Sequence, residues 1–272
     1  MDVCSTSIRS ILMVFLIYAG SALADTPVAE CGVSSSADFE VLKVTNDIEA
    51  TISPCITVTH ENVIIDCQGH QLIGETSGLD FAIRVEESGD GVVITDCKLS
   101  WWWLSISVAS DNGLIVDNLI TDCGFGLVLG SADFNTIMTN KIGRCSWDAF
   151  ALLNSNENLF RDNGAFENPR VRGLLLSNSH NNVIVDNRFG RNYTGIYMTG
   201  SDENVLIDNV SKGHVTAGIR IHDSRENHLE DNVASKNDVG IQVDEEDLNN
   251  IYIDNVCRNN VTAASNLEGA CN

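Results

Sequence analysis

Glu203-Asn-Val-Leu-Ile-Asp-Asn209, Glu226-Asn-His-Leu-Glu-Asp-Asn232 and Asn249-Asn-Ile-Tyr-Ile-Asp-Asn255 are three copies of one unit. Before each lies a glycine-led run: Gly-Ile-Tyr-Met from Gly195, Gly-Ile-Arg-Ile from Gly218 and Gly-Ile-Gln-Val from Gly240. The closing asparagine recurs at Asn118, Asn140, Asn163, Asn187, Asn209, Asn232 and Asn255, at spacings of 22, 23, 24, 22, 23 and 23 residues. A fixed period of this size implies a stacked architecture in which each repeat buries its apolar side against the next. Every repeat holds three short alternations of β-branched or aliphatic residues, separated by Asn, Asp, Gly and Ser. Three strands and three turns per repeat make one turn of a parallel β-helix, its coils about 4.8 Å apart. Helical spacing is absent, and leucine is too irregular for a leucine-rich horseshoe.

The same stacking accounts for the asparagines. At an inward turn, Asn can pass amide hydrogen bonds to the copies one coil above and below, in an interior too narrow to hydrate. Cys67 and Cys97 take the slot of the closing Asn, and Cys123 and Cys145 take the slot five residues later, where Asn168, Asn192, His214, Asn237 and Asn260 follow. Asn192, Asn209 and Asn260 open glycosylation sequons, which an inward ladder discounts. The expected organisation is all-β: a single-stranded parallel β-helix (solenoid) of about nine coils over residues 55–261. Residues 25–54 lack the repeat and are expected to form an N-terminal cap over the first rung, and 262–272 a C-terminal tail or cap.

Arg9, the apolar run Ile11 to Ala19 and Ala22-Leu-Ala24 read as a secretory signal over residues 1–24, placing the chain as secreted or periplasmic. The rest contains no run long enough for a membrane span. A formal net charge of -22 disfavours nucleic acid and anionic membranes, and repels a polyanionic sugar unless a cation bridges the two. Of nine cysteines, eight lie beyond residue 24, an even number that favours disulfides in an exported chain. Cys31 with Cys55 and Cys257 with Cys271 would staple the two ends. Cys67/Cys97 and Cys123/Cys145 are either bonded or merely stacked.

The Asn-x-φ-x-Asp-Asn units, where φ is apolar, the Gly-Ile-x-φ strands and the opening Cys55-Ile-Thr-Val with Asn62-Val-Ile-Ile-Asp-Cys-Gln-Gly-His70 resemble the right-handed parallel β-helix superfamily over residues 55–261. Its members include pectate lyases, polygalacturonases, mannuronan C5-epimerases and periplasmic NosD-type maturation proteins. The resemblance implies a fold more than an activity. Where those epimerases carry Asp-Pro-His-Asp/Glu, this chain reads Ile221-His-Asp-Ser224, and the polygalacturonase Gly-His-Gly segment is missing.

Sugar-acting members of that superfamily place their clefts on an outward strand face. In Gly-φ-x-φ-x the φ residues point inward, so one outward column runs Val128, Ala151, Leu175, Tyr197, Arg220, Gln242 and the next Gly130, Leu153, Ser177, Thr199, His222, Asp244. Before Gly126 the register is ambiguous, because keeping the spacing would turn the serines of Leu104-Ser-Ile-Ser-Val108 inward. Neighbours on successive coils lie about 5 Å apart, which puts His222 near hydrogen-bonding range of Asp244. In this reading His222 or Tyr197 is a base, Asp244 supports the imidazole, and Arg220 neutralises a substrate carboxylate so that the adjacent proton becomes removable. The reaction would be β-elimination by a polysaccharide lyase or inversion by a C5-epimerase acting on uronates. Gln242 and Thr199 would contact the glycan, as would the indoles of Trp101 and Trp103, while Trp102 falls in an inward column. Asp244, Glu245 and Asp247 are candidate ligands for Ca²⁺, which would bridge an acidic protein and a uronate. The competing expectation is a non-catalytic scaffold, either an adhesin-like surface protein or a NosD-like partner, whose outward face is a solvated polar column. Oligomeric state is not fixed by any of these signals.

Overall fold

The computed structural model of the protein describes residues 25–75, 80–244 and 249–272. The described strands form three parallel sheets of eleven, ten and eleven strands, visited in strict rotation. One coil, for example, passes from the third sheet at Thr194–Thr199 to the first at Val205–Ile207 and the second at Val210–Lys212, then returns to the third at Ala217–His222. This is the parallel β-helix expected from the period, with about ten coils rather than nine. The difference lies at the start. Residues 25–54 carry Asp25–Val28, Val33–Ser34, Val41–Val44 and Ile48–Glu49, which pair in register with later strands as ordinary rungs. Their strands are short and lack the Asn-Asp-Asn signature, so the period was not visible there. At the other end Ala263–Ser265 pairs with the strand Val239–Asp244, so the third sheet continues past residue 261.

In-register pairing stacks like on like. Ile83, Ile106, Leu127, Phe150, Leu174, Ile196, Ile219 and Ile241 make one fully buried file in the third sheet. Volume is traded within one coil: Phe150 meets Phe160 edge-on at 4.7 Å, and the small Ala165 lies on the second sheet. All four cysteine pairs are disulfides, Cys67–Cys97 and Cys123–Cys145 as well as Cys31–Cys55 and Cys257–Cys271.

The asparagine columns are continuous. Backbone N–H and Nδ2 of Asn187 both donate to Oδ1 of Asn209 at 3.0 Å, and Nδ2 also donates to Phe160 O at 2.8 Å. The residue before each closing Asn has a left-handed backbone: Asp162, Asp186, Asp208, Asp231 and Asp254 all have φ between 50° and 59°. Asp tolerates that region better than most residues, which is the physical reason for the recurring Asp-Asn pair. A second column, Asn135, Asn158, Asn182, Asn204, Asn227 and Asn250, enters the first sheet with the same bonding. Ser155, Ser179, Ser201 and Ser224 form a third file of the same kind. Asn192 and Asn209 are fully buried, so neither presents its sequon to solvent. His214 occupies the place of an asparagine: Asn192 N–H donates to its Nδ1 at 3.0 Å, and its own N–H donates to Asn237 Oδ1 at 2.9 Å. Gly195 is required beside it, because a Cβ there would collide with Ser211 Oγ and His214 Nε2.

Among the described residues no helix is long and apolar enough to cross a membrane.

Candidate functional site

The strands of the third sheet are the longest in the later coils, up to six residues, and each shows alternate side chains on its outer face. The expected columns are present in register. Tyr197 pairs with Arg220 and Arg220 with Gln242, while Thr199 pairs with His222 and His222 with Asp244. Upstream, Ser107 pairs with Val128 and so belongs to the outward column, whereas Ser105 is fully buried.

The polar end is organised around Asp244. Arg220 Nε donates to Asp244 Oδ2 at 2.5 Å, and Gln242 Nε2 to Asp244 Oδ1 at 2.7 Å. His222 Nδ1 lies 3.9 Å from Asp244 Oδ2, beyond a hydrogen bond, and is buried with no partner. The His222 ring is nonetheless 37% exposed, so its approach is from the Nε2 edge. The register therefore brings His222 and Asp244 together, but the carboxylate is claimed by Arg220, and that guanidinium is not a free cation. Tyr197 lies between two guanidinium groups, with Arg220 at 5.3 Å and Arg172 at 5.7 Å from its ring centroid. Arg172 is held by a bidentate pair with Asp148 at 2.7 Å on both arms. The Asp148 carboxylate is nearly buried.

Of the expected sugar-stacking indoles, Trp103 joins a ring cluster and Trp101 stands apart. Trp103 packs edge-on against Phe125 at 5.9 Å and Trp147 at 6.0 Å, and Phe125 stacks on Trp147 at 5.5 Å. Trp147 is 48% exposed. Trp101 is exposed on the turn leaving the second sheet, in line with Asp122 and Arg144. Trp102 is buried and donates Nε1–H to Leu72 O at 2.9 Å, as its inward column requires. Phe125, Trp147, Asp148 and Arg172 were not singled out from the sequence. The rings carried only an approximate signal: Phe81, Trp103, Phe125 and Trp147 are spaced 22 residues apart, although the register sets Leu104, not Trp103, beside Phe81 and Phe125.

Of the candidate calcium ligands, Glu245 and Asp247 lie outside the described residues, and Asp244 is engaged as above. No group of three His, Cys, Asp or Glu among the described residues is placed to hold a metal ion.

Fold and register define a parallel β-helix whose outward third sheet gathers rings and ion pairs. The sequence matches the family of the right-handed β-helix region over residues 81–233 and 172–272, and the chain belongs to that family. Among curated protein sequences none matches it. Among solved structures it is similar to a mutant of the periplasmic alginate epimerase AlgG, with TM-score 0.69 and 15% identity, covering 84% of this chain and 64% of that one. It is also similar to the A-module of the Azotobacter vinelandii mannuronan C-5 epimerase AlgE6, with TM-score 0.62, 13% identity and coverage of 93% and 89%. A third is the catalytic domain of a GH87 alpha-1,3-glucanase in complex with nigerose, with TM-score 0.60, 12% identity and coverage of 98% and 66%. The chain thus spans less than two thirds of AlgG. At these identities the likeness is one of fold.

Proposed function

We propose that this chain is an exported glycan-interacting protein that seats a polysaccharide across the outward face of the third sheet, with His222 as the group that transfers a proton. The carrying observation is the file on that face: the Trp103/Phe125/Trp147 rings, the Asp148–Arg172 pair, Tyr197 between two arginines, then Arg220, Asp244 and His222. Stacked rings and oriented donors and acceptors are what a sugar chain needs. The similar structures include enzymes named for alginate, mannuronan and alpha-1,3-glucan, which supports a carbohydrate ligand without choosing one. Four disulfides fit an oxidising compartment, either extracellular or periplasmic.

Elimination from a uronate, or its C5 inversion, would require Arg220 to exchange Asp244 for the substrate carboxylate. A calcium ion bridging Asp244 to the sugar is the other way to relieve that carboxylate. The test is NMR of a glycan panel in D₂O, with and without calcium, using the wild-type protein and His222→Ala. Product signals that vanish with His222→Ala are the expected result, and solvent deuterium in the sugar would assign them to C5 chemistry on a uronate. Turnover that survives the substitution removes His222 from the reaction. Binding without turnover leaves the non-catalytic scaffold.

A further inference from the structure

The strands of the third sheet carry arginines that are all paired. The chain carries a formal net charge of -22. Each arginine on the described strands of this sheet is closed by a carboxylate on or next to those strands: Arg84 by Glu86 at 2.9 Å, Arg172 by Asp148 at 2.7 Å and Arg220 by Asp244 at 2.5 Å. No lysine lies on the described strands of this sheet. Rings accompany the pairs: Arg84 lies 5.4 Å from the Phe81 centroid, and Tyr197 lies between the other two arginines. Phe125, at the middle of the ring cluster, and Tyr197 are three coils apart, about 14 Å along the axis at about 4.8 Å per coil. They form one track rather than two patches. The track is aromatic, and its three strand arginines are all paired, on a molecule of net charge -22.

We infer that the ligand of this face is a neutral polysaccharide, an inference that rests on the glycan reading above. A neutral sugar offers C–H faces to the rings and hydroxyls to the fixed oxygens and N–H groups of the ion pairs, and it asks no pair to open. A polyuronate brings a charge on every residue into the field of an acidic protein. To hold each carboxylate it must also take a guanidinium from Asp148 or Asp244, leaving that acid unpaired. The closed ion pairs therefore work as a filter against acidic glycans, while the rings supply affinity that salt does not screen.

The experiment is binding of the purified protein to a soluble neutral α-glucan, a neutral β-glucan, polymannuronate and polygalacturonate, in low and high salt, with and without calcium. The variants are Trp147→Ala and Asp244→Asn, each checked for native circular dichroism and melting. The expected result is retention of a neutral glucan that salt does not weaken, a loss of about tenfold in affinity for Trp147→Ala, and salt-sensitive polyuronate retention appearing in Asp244→Asn, where Arg220 is freed. If the wild-type protein instead retains a polyuronate and no neutral glucan, the inference is overturned while the glycan reading stands. If the folded protein retains none of the four, with or without calcium, the glycan reading itself fails.

Discussion

His214 is the one imidazole in a column otherwise built of asparagine and cysteine, and it changes how the coil responds to acid. Nδ1 must stay unprotonated to accept the Asn192 N–H, and burial holds the side chain's pKa down from its usual value to about 4. Between the ordinary histidine pKa of about 6.5 and that value, the unfolded chain binds a proton that the folded chain does not. Stability contributed by neutral His214 is thus complete above about pH 6.5 and declines as the pH falls towards 4. The full effect is on the order of 3 kcal/mol. His214→Asn restores the column's ordinary residue. It is expected to melt like the parent at pH 7.5 and clearly above it at pH 5, as followed by circular dichroism. Equal losses on acidification in both proteins would show that the imidazole is not the acid-sensitive group.

At the level of the element, the asparagine column behaves as one unit because each amide serves two coils. Replacing Asn187 by Ala strips a partner from the Asn163 N–H and Nδ2, which both bond to its Oδ1, and from the Phe160 carbonyl. Each buried group left unpaired costs about 1–3 kcal/mol. Asn187→Ala is therefore expected to lower stability by about 3 kcal/mol or more, read as a shift in the urea midpoint. An exposed change such as Val261→Thr, at a side chain 84% exposed, should move it by less than about 0.5 kcal/mol. Removing the Cys257–Cys271 bridge acts at the end of the stack, where a loop of this length contributes about 3 kcal/mol. The expected result for the double alanine variant is faster amide exchange in Val256–Arg258 and Ala263–Ser265, with Val205–Ile207 unchanged. These columns show what a sequence makes legible. The period and the inward amide are written in every copy from Asn118 onward, with Asp before the amide in all but Asn140, so those coils could be read directly, and Cys67 and Cys97 mark the same slot in the earlier ones. Residues 25–54 fold into the same rungs without that signature, because their strands are two to four residues long and their pairing is backbone to backbone. The candidate site was half legible for a related reason. Register gives columns, and so Tyr197, Arg220, His222 and Asp244 could be brought together, but register does not say which of two neighbours a carboxylate will choose. Asp244 takes Arg220, while His222 stays at 3.9 Å.

On the scale of the whole molecule, stacking multiplies charge as surely as it multiplies hydrogen bonds. Asp186, Asp208, Asp231 and Asp254 hold the same left-handed turn position on successive coils, about 4.8 Å from one neighbour to the next. Asp96 sits in an equivalent turn; burial first, and then the charges of Asp117 and Asp66, hold its carboxyl above the usual range. A carboxyl whose folded pKa is raised binds its proton more tightly in the folded chain. Asp96 therefore costs stability at neutral pH, and that cost fades as the pH falls through its folded pKa. Asn tolerates the same backbone, so Asp96→Asn removes the charge without disturbing the turn. It is expected to raise stability at pH 7.5 by a few tenths to about 1 kcal/mol, the usual scale for like charges on facing strands. The part owed to Asp117 and Asp66 is electrostatic between groups at the surface, so it should shrink when the Debye length falls from about 30 Å at 0.01 M salt to about 3 Å at 1 M. Burial does not respond to salt in this way. Melting the parent and Asp96→Asn at both ionic strengths therefore separates the two causes. The parent's melting temperature should rise with salt, as expected for a chain of net charge -22. The variant's advantage should narrow without vanishing. An advantage that is the same at both ionic strengths would assign the whole effect to burial of the carboxyl and none to the stacked charges.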